Sequence, residues 1–551
     1  MSDGPIRHGG KALIEGLQAQ GVRRVFCIPG ESYLAALDGL HDSGIETVVT
    51  RHEGGAAMMA EAHGKLTGKA GVAFVTRGPG ATNASAGVHI AFQDSTPMIL
   101  FVGQVATDQR DREAFQEVDY RAMFAPLAKH VLEINRPDRI PEYVSQAFHI
   151  AQSGRPGPVV VALPEDVLSS PCSSPAVPSA VLPSGLASHS DVNVVLEKIT
   201  SAERPFILVG GPHWSQDAAK NLGKFASKMG IPVGVSFRCQ DYLDNRLTCY
   251  AGDVGIGPNP DLAERVRNAD VVLCIGARLG EMTTGGYSLL KPPKLDQFLI
   301  HVHPDPSEPG KVFRPDVSVT ANGGAFIGQL AEKTLEAEAK DASEIERAHL
   351  SYQNWLMPEE TPGSLKMENV ILHLSKMLPD DAIITNGAGN YASWLHRYYQ
   401  YRRYKTQLAP TSGSMGYGLP AAVSAKLDQP ERNVVCLAGD GCIQMSIQEF
   451  GTACQYGANI IVLVSNNGMY GTIRMHQQKN YPHRPSGTEM VNPDFAAIAK
   501  AYGGFGATAH SDDEFISAFA AARSANLPAI IDMKVSPQAL SPKLTLEKAE
   551  P

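Results

Sequence analysis

The sequence predicts an α/β protein with three doubly wound domains, each built on a parallel sheet. Apolar, β-branched runs alternate with segments of helical period, which is typical of parallel strands covered by helices. A chain of 551 residues is too long for one hydrophobic core, since domains average roughly 150 residues. Two segments with a different composition interrupt the alternation and divide the chain into three parts.

The first predicted domain covers residues 1–168. Its expected strands are VRRVFCIPG, ETVVTR, AGVAFVTRGPG, PMILFVGQ and PGPVVVALP, and GGAAMMAEAHGKLTG has a helical pattern between them. After Val167 the stretch SSPCSSPAVPSAVLPSGLASHS contains too much Ser and Pro for a lasting helix or a central strand. We therefore predict a linker between the first two domains.

The second and third predicted domains cover residues 190–340 and 364–540. Expected strands in the second are RPFILVGG, IPVGVSF, ADVVLCIGAR and FLIHVHPDP. A charged stretch, LAEKTLEAEAKDASEIERAHL, is predicted to be helical and leads to the third domain. The first and third domains are similar in layout.

Composition excludes several classes of function. The chain is 43% hydrophobic and 19% charged, as expected of a globular protein, and its net charge of -9 argues against nucleic-acid binding. No basic start followed by an apolar core, and no run of roughly 18 apolar residues, suggests a secretion signal or a membrane span. The eight cysteines form no C-x-x-C pair, so neither zinc nor a disulfide framework is expected. We predict a cytoplasmic protein with no membrane partner.

Polar residues follow two predicted strands of the third domain. The strand VVCLA places Asp440 at its carboxyl end, and IIVLVSNN places Asn467 at the end of the next strand. The intervening segment MSIQEFGTACQYG is expected to be a crossover helix that brings the strands side by side. A carboxylate, an amide and a nearby backbone carbonyl suit Mg²⁺ bound to a diphosphate, which Gly441 allows the backbone to approach.

The Gly-Asp-Gly motif, with two asparagines a strand later, resembles the signature of thiamine diphosphate (ThDP) enzymes. The resemblance implies that Asp440, Asn467 and the carbonyl of Met469 bind Mg²⁺, and that Gly441 and Cys442 contact the diphosphate. Gly-Asp-Gly also occurs in ordinary turns, which is the alternative interpretation.

Two further segments are similar to loops of the same family. TSGSMGYGLPAA resembles the loop whose apolar residue wedges beneath the cofactor, which implies that Met415 is the wedge and that the Gly413 carbonyl accepts from the 4′-amino group. NGAGNYASW resembles the loop that covers the diphosphate, with Asn390 and Tyr391 as contacts. The alternative for the methionine is ordinary core packing.

The segment TRHEGGAAMMAEAHGKLTGKAGVAFVTRGPGATN resembles the acetolactate synthase branch, and the resemblance extends over nearly the whole chain. It implies that Glu53 is the glutamate that hydrogen-bonds the aminopyrimidine and promotes loss of the C2 proton. The alternative is that Glu53 caps a helix beginning at Gly54. The other residues that the resemblance places at the cofactor or substrate are Gly30, Glu31, Phe115 and Gln116.

The chain departs from that branch at several positions. His476 stands where acetolactate synthases have a tryptophan near the acceptor pocket, so it is a candidate pocket residue or else a surface residue of a helix. Met282 and His303 replace an arginine and an aspartate of the flavin region, although Arg278 is retained. Binding of FAD is therefore doubtful, and an adenine nucleotide such as ADP in the central domain is left open.

The resemblance implies a ThDP- and Mg²⁺-dependent enzyme that decarboxylates a 2-keto acid such as pyruvate and joins the fragment to a carbonyl acceptor. The first alternative is a carbon-carbon lyase of the benzaldehyde lyase or 2-hydroxyacyl type, which acts on 2-hydroxyketones. A nicotinamide-dependent dehydrogenase lacks support because VGGPHW is not a G-x-G-x-x-G motif. Glu53 argues against a catalytically silent subunit. The family pattern also implies a homodimer or tetramer with each site at a subunit interface; substrates and any regulatory subunit stay open.

Overall fold

The computed structural model describes residues 7–549 as three α/β domains, each with a six-stranded parallel sheet. The predicted fold class is confirmed. A short antiparallel ribbon joins β1 (Arg7–His8) to β8 (Pro171–Cys172) and ties the start of the first domain to its end. No helix in the described part of the chain is long and apolar enough to cross a bilayer.

The N-terminal sheet has the order β3-β2-β4-β5-β7-β6. Its strands, with the two of the ribbon, are β1 (Arg7–His8), β2 (Arg24–Cys27), β3 (Glu46–Val49), β4 (Gly71–Val75), β5 (Met98–Gln104), β6 (His130–Glu133), β7 (Pro158–Pro164) and β8 (Pro171–Cys172). The helices are α1 (Gly9–Ala19), α2 (Leu34–His41), α3 (Glu53–Thr67), α4 (Pro79–Asp94), α5 (Tyr120–Phe124), α6 (Ile140–Gln152) and α7 (Glu165–Ser169). Residues 173–188 form neither helix nor strand, as their composition predicts.

The central sheet has the order β11-β10-β9-β12-β13-β14, so the strand order reverses between β9 and β12. Its strands are β9 (Pro205–Val209), β10 (Val233–Ser236), β11 (Tyr250–Val254), β12 (Val271–Ile275), β13 (Phe298–His303) and β14 (Val317–Thr320). The helices are α8 (His189–Ser201), α9 (Gln216–Met229), α10 (Pro260–Asn268), α11 (Gly323–Lys333) and α12 (Ser343–Trp355).

The charged stretch that leads to the third domain is not one helix. The helix α11 ends at Lys333 and α12 begins at Ser343, with residues 334–342 between them. Asp341 accepts a hydrogen bond from the backbone N–H of Ser343, and such a local bond competes with continuation of a helix. The prediction of a single helix was wrong at this point.

The C-terminal sheet has the order β16-β15-β17-β18-β20-β19, which repeats the arrangement of the N-terminal sheet and confirms their similar layout. Its strands are β15 (Ile383–Asn386), β16 (Gln407–Leu408), β17 (Val434–Gly439), β18 (Ile461–Asn466), β19 (Phe505–Ala509) and β20 (Ala529–Lys534). The helices are α13 (Met367–Met377), α14 (Ala392–Tyr398), α15 (Gly418–Asp428), α16 (Asp440–Ile443), α17 (Glu449–Gln455), α18 (Gly471–Asn480), α19 (Phe495–Ala501) and α20 (Asp512–Ala525).

The first and third domains share one hydrophobic core. Ala57 on α3, Val423 on α15 and Phe450 on α17 belong to the same buried cluster. Small residues on α3 permit this close approach, since a Cβ on Gly55 would lie 2.4 Å from an oxygen of Glu449. The core therefore fixes α3 against the C-terminal domain of the same chain.

Candidate active site

A cavity of about 240 Å³ opens at the carboxyl ends of the C-terminal strands. It lies where the strand order reverses between β15 and β17, the position at which open α/β sheets bind ligands. All of the residues predicted for this domain, except His476, are among those that line it: Asn390, Tyr391, Gly413, Met415, Asp440, Gly441, Cys442, Asn467 and Met469. The loops after β15, β17 and β18 bring these residues together from three parts of the sequence.

Asp440 is the acidic residue of the cavity and is only 3% exposed. Its Oδ1 accepts a hydrogen bond of 2.8 Å from the backbone N–H of Gly441, and its Oδ2 accepts one of 2.8 Å from that of Gly468. Asn492 donates a third bond of 2.8 Å to Oδ2. Burial raises the pKa of Asp440, although these hydrogen bonds oppose the shift. The carboxylate is thus held in one orientation beside β18.

The strands β17 and β18 are adjacent and parallel, as predicted, so Asp440 and Asn467 lie at neighbouring strand ends. Asn467 Oδ1 accepts a bond of 3.2 Å from the backbone N–H of Met469, which forms a turn after the strand. The described residues contain no cluster of three or more His, Cys, Asp or Glu side chains suited to a metal ion. One carboxylate, one amide and one backbone carbonyl are oxygen donors, so this set fits Mg²⁺ with diphosphate oxygens better than a softer metal.

The backbone itself forms much of the cavity wall. A Cβ on Gly441 would lie 2.7 Å from the ring of Tyr470, and one on Gly439 would lie 2.9 Å from the ring of Tyr391. Only glycine fits between these rings and the cavity, which leaves backbone close to any ligand bound there. This wall fits a diphosphate, because close backbone approach is what phosphate binding requires.

The thiol of Cys442 connects two of the loops that line the cavity. Cys442 Sγ accepts hydrogen bonds from the hydroxyl of Tyr391 at 3.3 Å and from the backbone N–H of Gly416 at 3.2 Å. The Tyr391 hydroxyl in turn accepts a bond from the backbone N–H of Gly387, and burial raises the pKa of this phenol. The predicted contacts Tyr391 and Cys442 therefore also hold the 387–391 loop against the 410–416 loop.

Met415 and Gly413 lie on the loop before α15. Met415 is half-buried and packs against an apolar cluster of this domain, and it borders the cavity. Gly413 is exposed, has a φ of 68° and donates its backbone N–H to the carbonyl of Pro410 at 3.1 Å. A residue with a side chain would be strained at this angle, so the turn requires glycine.

The residues predicted for the N-terminal domain gather around residues 76–80, after β4. Gly30 lies against Thr76, and Arg77 bonds the carboxylate of Glu31 at 3.2 Å and the carbonyl of Phe115 at 3.3 Å. Gln116 packs against Gly78, where a Cβ would lie 2.7 Å from that of Gln116. Phe115 is 73% exposed, which is unusual for a large apolar side chain.

Glu53 is the first residue of α3 and lies beside this group. The ring of His52 accepts a hydrogen bond of 3.0 Å from the backbone N–H of Gly54, so His52 caps the helix. The alternative interpretation of Glu53 as the cap is therefore wrong. The carboxylate of Glu53 instead accepts a bond of 3.0 Å from the side chain of Asn83.

Within one chain, none of the predicted N-terminal residues lines the cavity. Every residue that lines the cavity belongs to the range 367–540, and Glu53 and Gln116 are not among them. His476 is exposed on α18 and does not line the cavity, while its neighbour Met475 contacts Asn390. A role for His476 in an acceptor pocket stays a prediction.

Two polar residues that support the site are not apparent from the sequence. Asn492 bonds both Asp440 and Asn466, and Thr472 bonds the backbone and the side chain of Asn390. Both lie in segments without a recognisable motif. Thr472 follows Asn467 by only five positions, so its closeness to the end of β18 is the one signal in the sequence.

Comparison with known proteins gives matches along most of the chain. Residues 7–123, 192–330 and 387–533 match the N-terminal TPP binding domain, the central domain and the C-terminal TPP binding domain of thiamine pyrophosphate enzymes. The chain is 33% identical to the acetolactate synthase large subunit of Parasynechococcus marenigrum, over 96% of this chain and 87% of that protein. It is 32% identical to the corresponding subunit of Corynebacterium glutamicum, with the same coverage. It is also 32% identical to the large subunit of acetolactate synthase isozyme 3 of Escherichia coli, over 90% of this chain and 89% of that protein.

Proposed function

Because this chain belongs to the thiamine pyrophosphate enzymes and to their acetolactate synthase group, we propose that it is a ThDP-dependent carboligase that decarboxylates a 2-keto acid and joins the remaining fragment to a carbonyl acceptor. The observation that carries the proposal is the meeting of all but one of the predicted C-terminal residues in one cavity at the reversal of strand order. When bound, ThDP stabilises the negative charge that remains on the carbonyl carbon after carbon dioxide leaves.

Each group of residues has a separate task in this proposal. Asp440, Asn467 and the carbonyl of Met469 would hold Mg²⁺ and, through it, the diphosphate. Gly413 and Met415 would support the aminopyrimidine and the bend between the two rings. Glu53 would hold the proton at the aminopyrimidine nitrogen.

We propose that each site forms between two subunits. The support is that, within one chain, none of the predicted residues around Glu53 lines the C-terminal cavity. Each group has an exposed apolar side chain, Phe115 in the first and Ile473 at the cavity, which a second subunit would cover. A dimer with two-fold symmetry would place the first group of each subunit over the cavity of the other.

The relatives named above do not favour the lyase alternative, since all are acetolactate synthase subunits. The carboligase and the lyase can be distinguished by the substrates on which the protein acts. A first experiment is titration of the purified protein with ThDP and Mg²⁺, followed by measurement of carbon dioxide release from pyruvate and a panel of other 2-keto acids. Release with formation of a ligated product is expected. Cleavage of 2-hydroxyketones without any decarboxylation would instead identify a lyase.

We predict that the purified protein binds no flavin. The turn after β9 and the turn after β12 lie at the reversal of the central sheet, where a dinucleotide would bind. Trp214 donates to the carbonyl of Gly210 at 2.9 Å, and its indole nitrogen would lie 3.2 Å from a Cβ on Gly276. Tyr242 donates to the carbonyl of Gly211 and packs edge-on against Trp214. These two rings therefore occupy space beside both turns, where a dinucleotide would bind.

The polar groups of the same region also suit a flavin nucleotide poorly. Met282 offers no donor to a phosphate, and His303 stands where the resemblance implies a carboxylate acceptor. His303 is buried, and burial lowers its pKa to about 3, so it stays neutral at ordinary pH. A colourless preparation without flavin absorbance after heat release of small molecules is the expected result. Stoichiometric FAD would contradict it, whereas an adenine nucleotide alone would suggest a relation to lyases that handle acyl-CoA.

A further inference from the structure

One segment of the central domain docks on the backbone of the C-terminal domain. Gln240 donates to the carbonyl of His396 at 2.6 Å, and Asp241 accepts from the backbone N–H of Thr406 at 2.9 Å. Asn245 accepts from the backbone N–H of Tyr401 at 2.8 Å. These side chains are buried and bond backbone groups, so the segment 238–245 fixes the position of one domain on the other.

Arg238, the first residue of this segment, bonds two loops that line the cavity. One terminal nitrogen of its guanidinium donates to the carbonyl of Pro410, and the other donates to the carbonyl of Gly387 at 2.8 Å. The side chain is buried and forms no ion pair within residues 7–549. Its backbone has a φ of 62°, an angle that costs energy for a residue with a side chain.

The two carbonyls begin the two loops of the cavity. Gly387 precedes Asn390 and Tyr391 in the loop after β15. The Pro410 carbonyl also accepts the backbone N–H of Gly413, so it closes the turn from which Met415 follows. One planar group therefore joins both loops at their first residues.

We propose that Arg238 is a positioning residue that sets the spacing of the 387–391 and 410–416 loops and thereby the shape of the cofactor cavity. This inference rests on the proposed function, because the cavity is assigned to ThDP. Arginine suits the task because its donors lie in a rigid fork, whereas lysine presents a single ammonium group that cannot match two fixed carbonyls as well. A buried cation that forms no ion pair also requires both carbonyls as hydrogen-bond partners.

Other hydrogen bonds also hold both loops. Asp94 of the N-terminal domain accepts from the backbone N–H of Thr411 at 2.8 Å, and Asn386 donates to the carbonyl of Gly387 at 2.9 Å. Loss of the guanidinium should therefore change loop spacing without unfolding the domain. We therefore expect the loss of Arg238 to weaken ThDP binding more than a comparable loss of stability alone would.

The test compares Arg238→Met and Arg238→Lys with Asn245→Ala. The control removes a buried side chain of the same docking segment, whose partner Tyr401 lies outside both loops. We expect Arg238→Met to raise the Kd for ThDP at saturating Mg²⁺ by about ten- to a hundredfold, the range for one or two lost hydrogen bonds. Arg238→Lys should fall between it and the wild type, and Asn245→Ala should bind ThDP within about twofold of the wild type.

Thermal melting of the cofactor-free proteins separates stability from positioning. A lower melting temperature is expected in both Arg238→Met and Asn245→Ala, with the change in Kd confined to the Arg238 variants. Equal Kd values for Arg238→Met and Asn245→Ala would overturn the inference. If Arg238→Met does not fold, an unchanged Kd in Arg238→Lys would overturn it too. Failure of the wild type to bind ThDP would instead refute the proposed function.

Discussion

Replacing Glu53 with glutamine is expected to slow exchange of the C2 proton of bound ThDP by about a hundredfold or more. An amide cannot take up and return the proton that the proposed role requires, and loss of an acid-base group has effects of this size. Exchange in deuterated buffer, quenched with acid and followed by NMR, measures this step without any substrate. The cofactor should still bind, because the proposed metal ligands and the cavity wall lie in the C-terminal domain.

The fold should survive this substitution, because other groups hold the start of α3. His52 caps the helix, and Glu449 accepts from the backbone N–H of Arg51 at 3.1 Å. Burial raises the pKa of Glu449 to about 7. Exchange in the variant and in the wild type should therefore be measured at one fixed pH above that value, where the Glu449 carboxylate is ionised and accepts the bond from Arg51. A glutamine at position 53 can still accept the bond from Asn83.

Glu165→Gln is a matched control for Glu53→Gln. Glu165 also follows a strand of the N-terminal sheet and is partly exposed, but its carboxylate pairs with Arg77 at 3.0 Å. Exchange in this variant should equal that of the wild type. If Glu53→Gln behaved in the same way, the proposed role of Glu53 would be lost.

The parts of the site that could be predicted are those that local sequence places at strand ends. Asp440 and Asn467 follow clear β-branched runs, and parallel topology brings neighbouring strand ends to one edge. The position of Glu53 could be predicted for the same reason, since it follows β3 and begins α3. In each case a short stretch of chain determines both the secondary structure and the position of the residue.

Contacts between segments far apart in the sequence, and the end of α11, could not be predicted. Arg238 reaches the loops at 387 and 410 across a domain boundary, far away in the sequence, and a lone arginine gives no signal of that. Asn492 reaches Asp440 from a segment without helix or strand. The break between α11 and α12 was missed because charged residues of good helix propensity surround it, while a local hydrogen bond decides the outcome.

Replacing Asp440 with alanine is expected to yield a folded protein that retains neither Mg²⁺ nor ThDP. Asp440 is the only charged protein ligand proposed, and without it the diphosphate faces fewer compensating charges. Metal analysis and extraction of ThDP from the purified variant measure the loss directly. Asp440→Asn is the matched variant, because it keeps the size of the side chain and can still accept from Gly468 while it removes the charge. It should lose Mg²⁺ affinity. With its oxygen on Gly468, its amide nitrogen would face the backbone N–H of Gly441, so a lower cofactor-free melting temperature is expected as well.

Mixing the two inactive variants tests whether each site draws on two chains. In a random mixture of Glu53→Gln and Asp440→Ala subunits, half of the dimers contain one subunit of each kind. If the site lies between subunits, each of these mixed dimers has one site in which both residues are intact. About a quarter of all sites should then be active, by the statistics of a two-fold dimer. If Glu53 and Asp440 acted in the same chain, no mixed dimer would contain an intact site, and the mixture would stay as inactive as its components. Full ThDP and Mg²⁺ occupancy in Asp440→Ala alone would refute the metal site before any mixing.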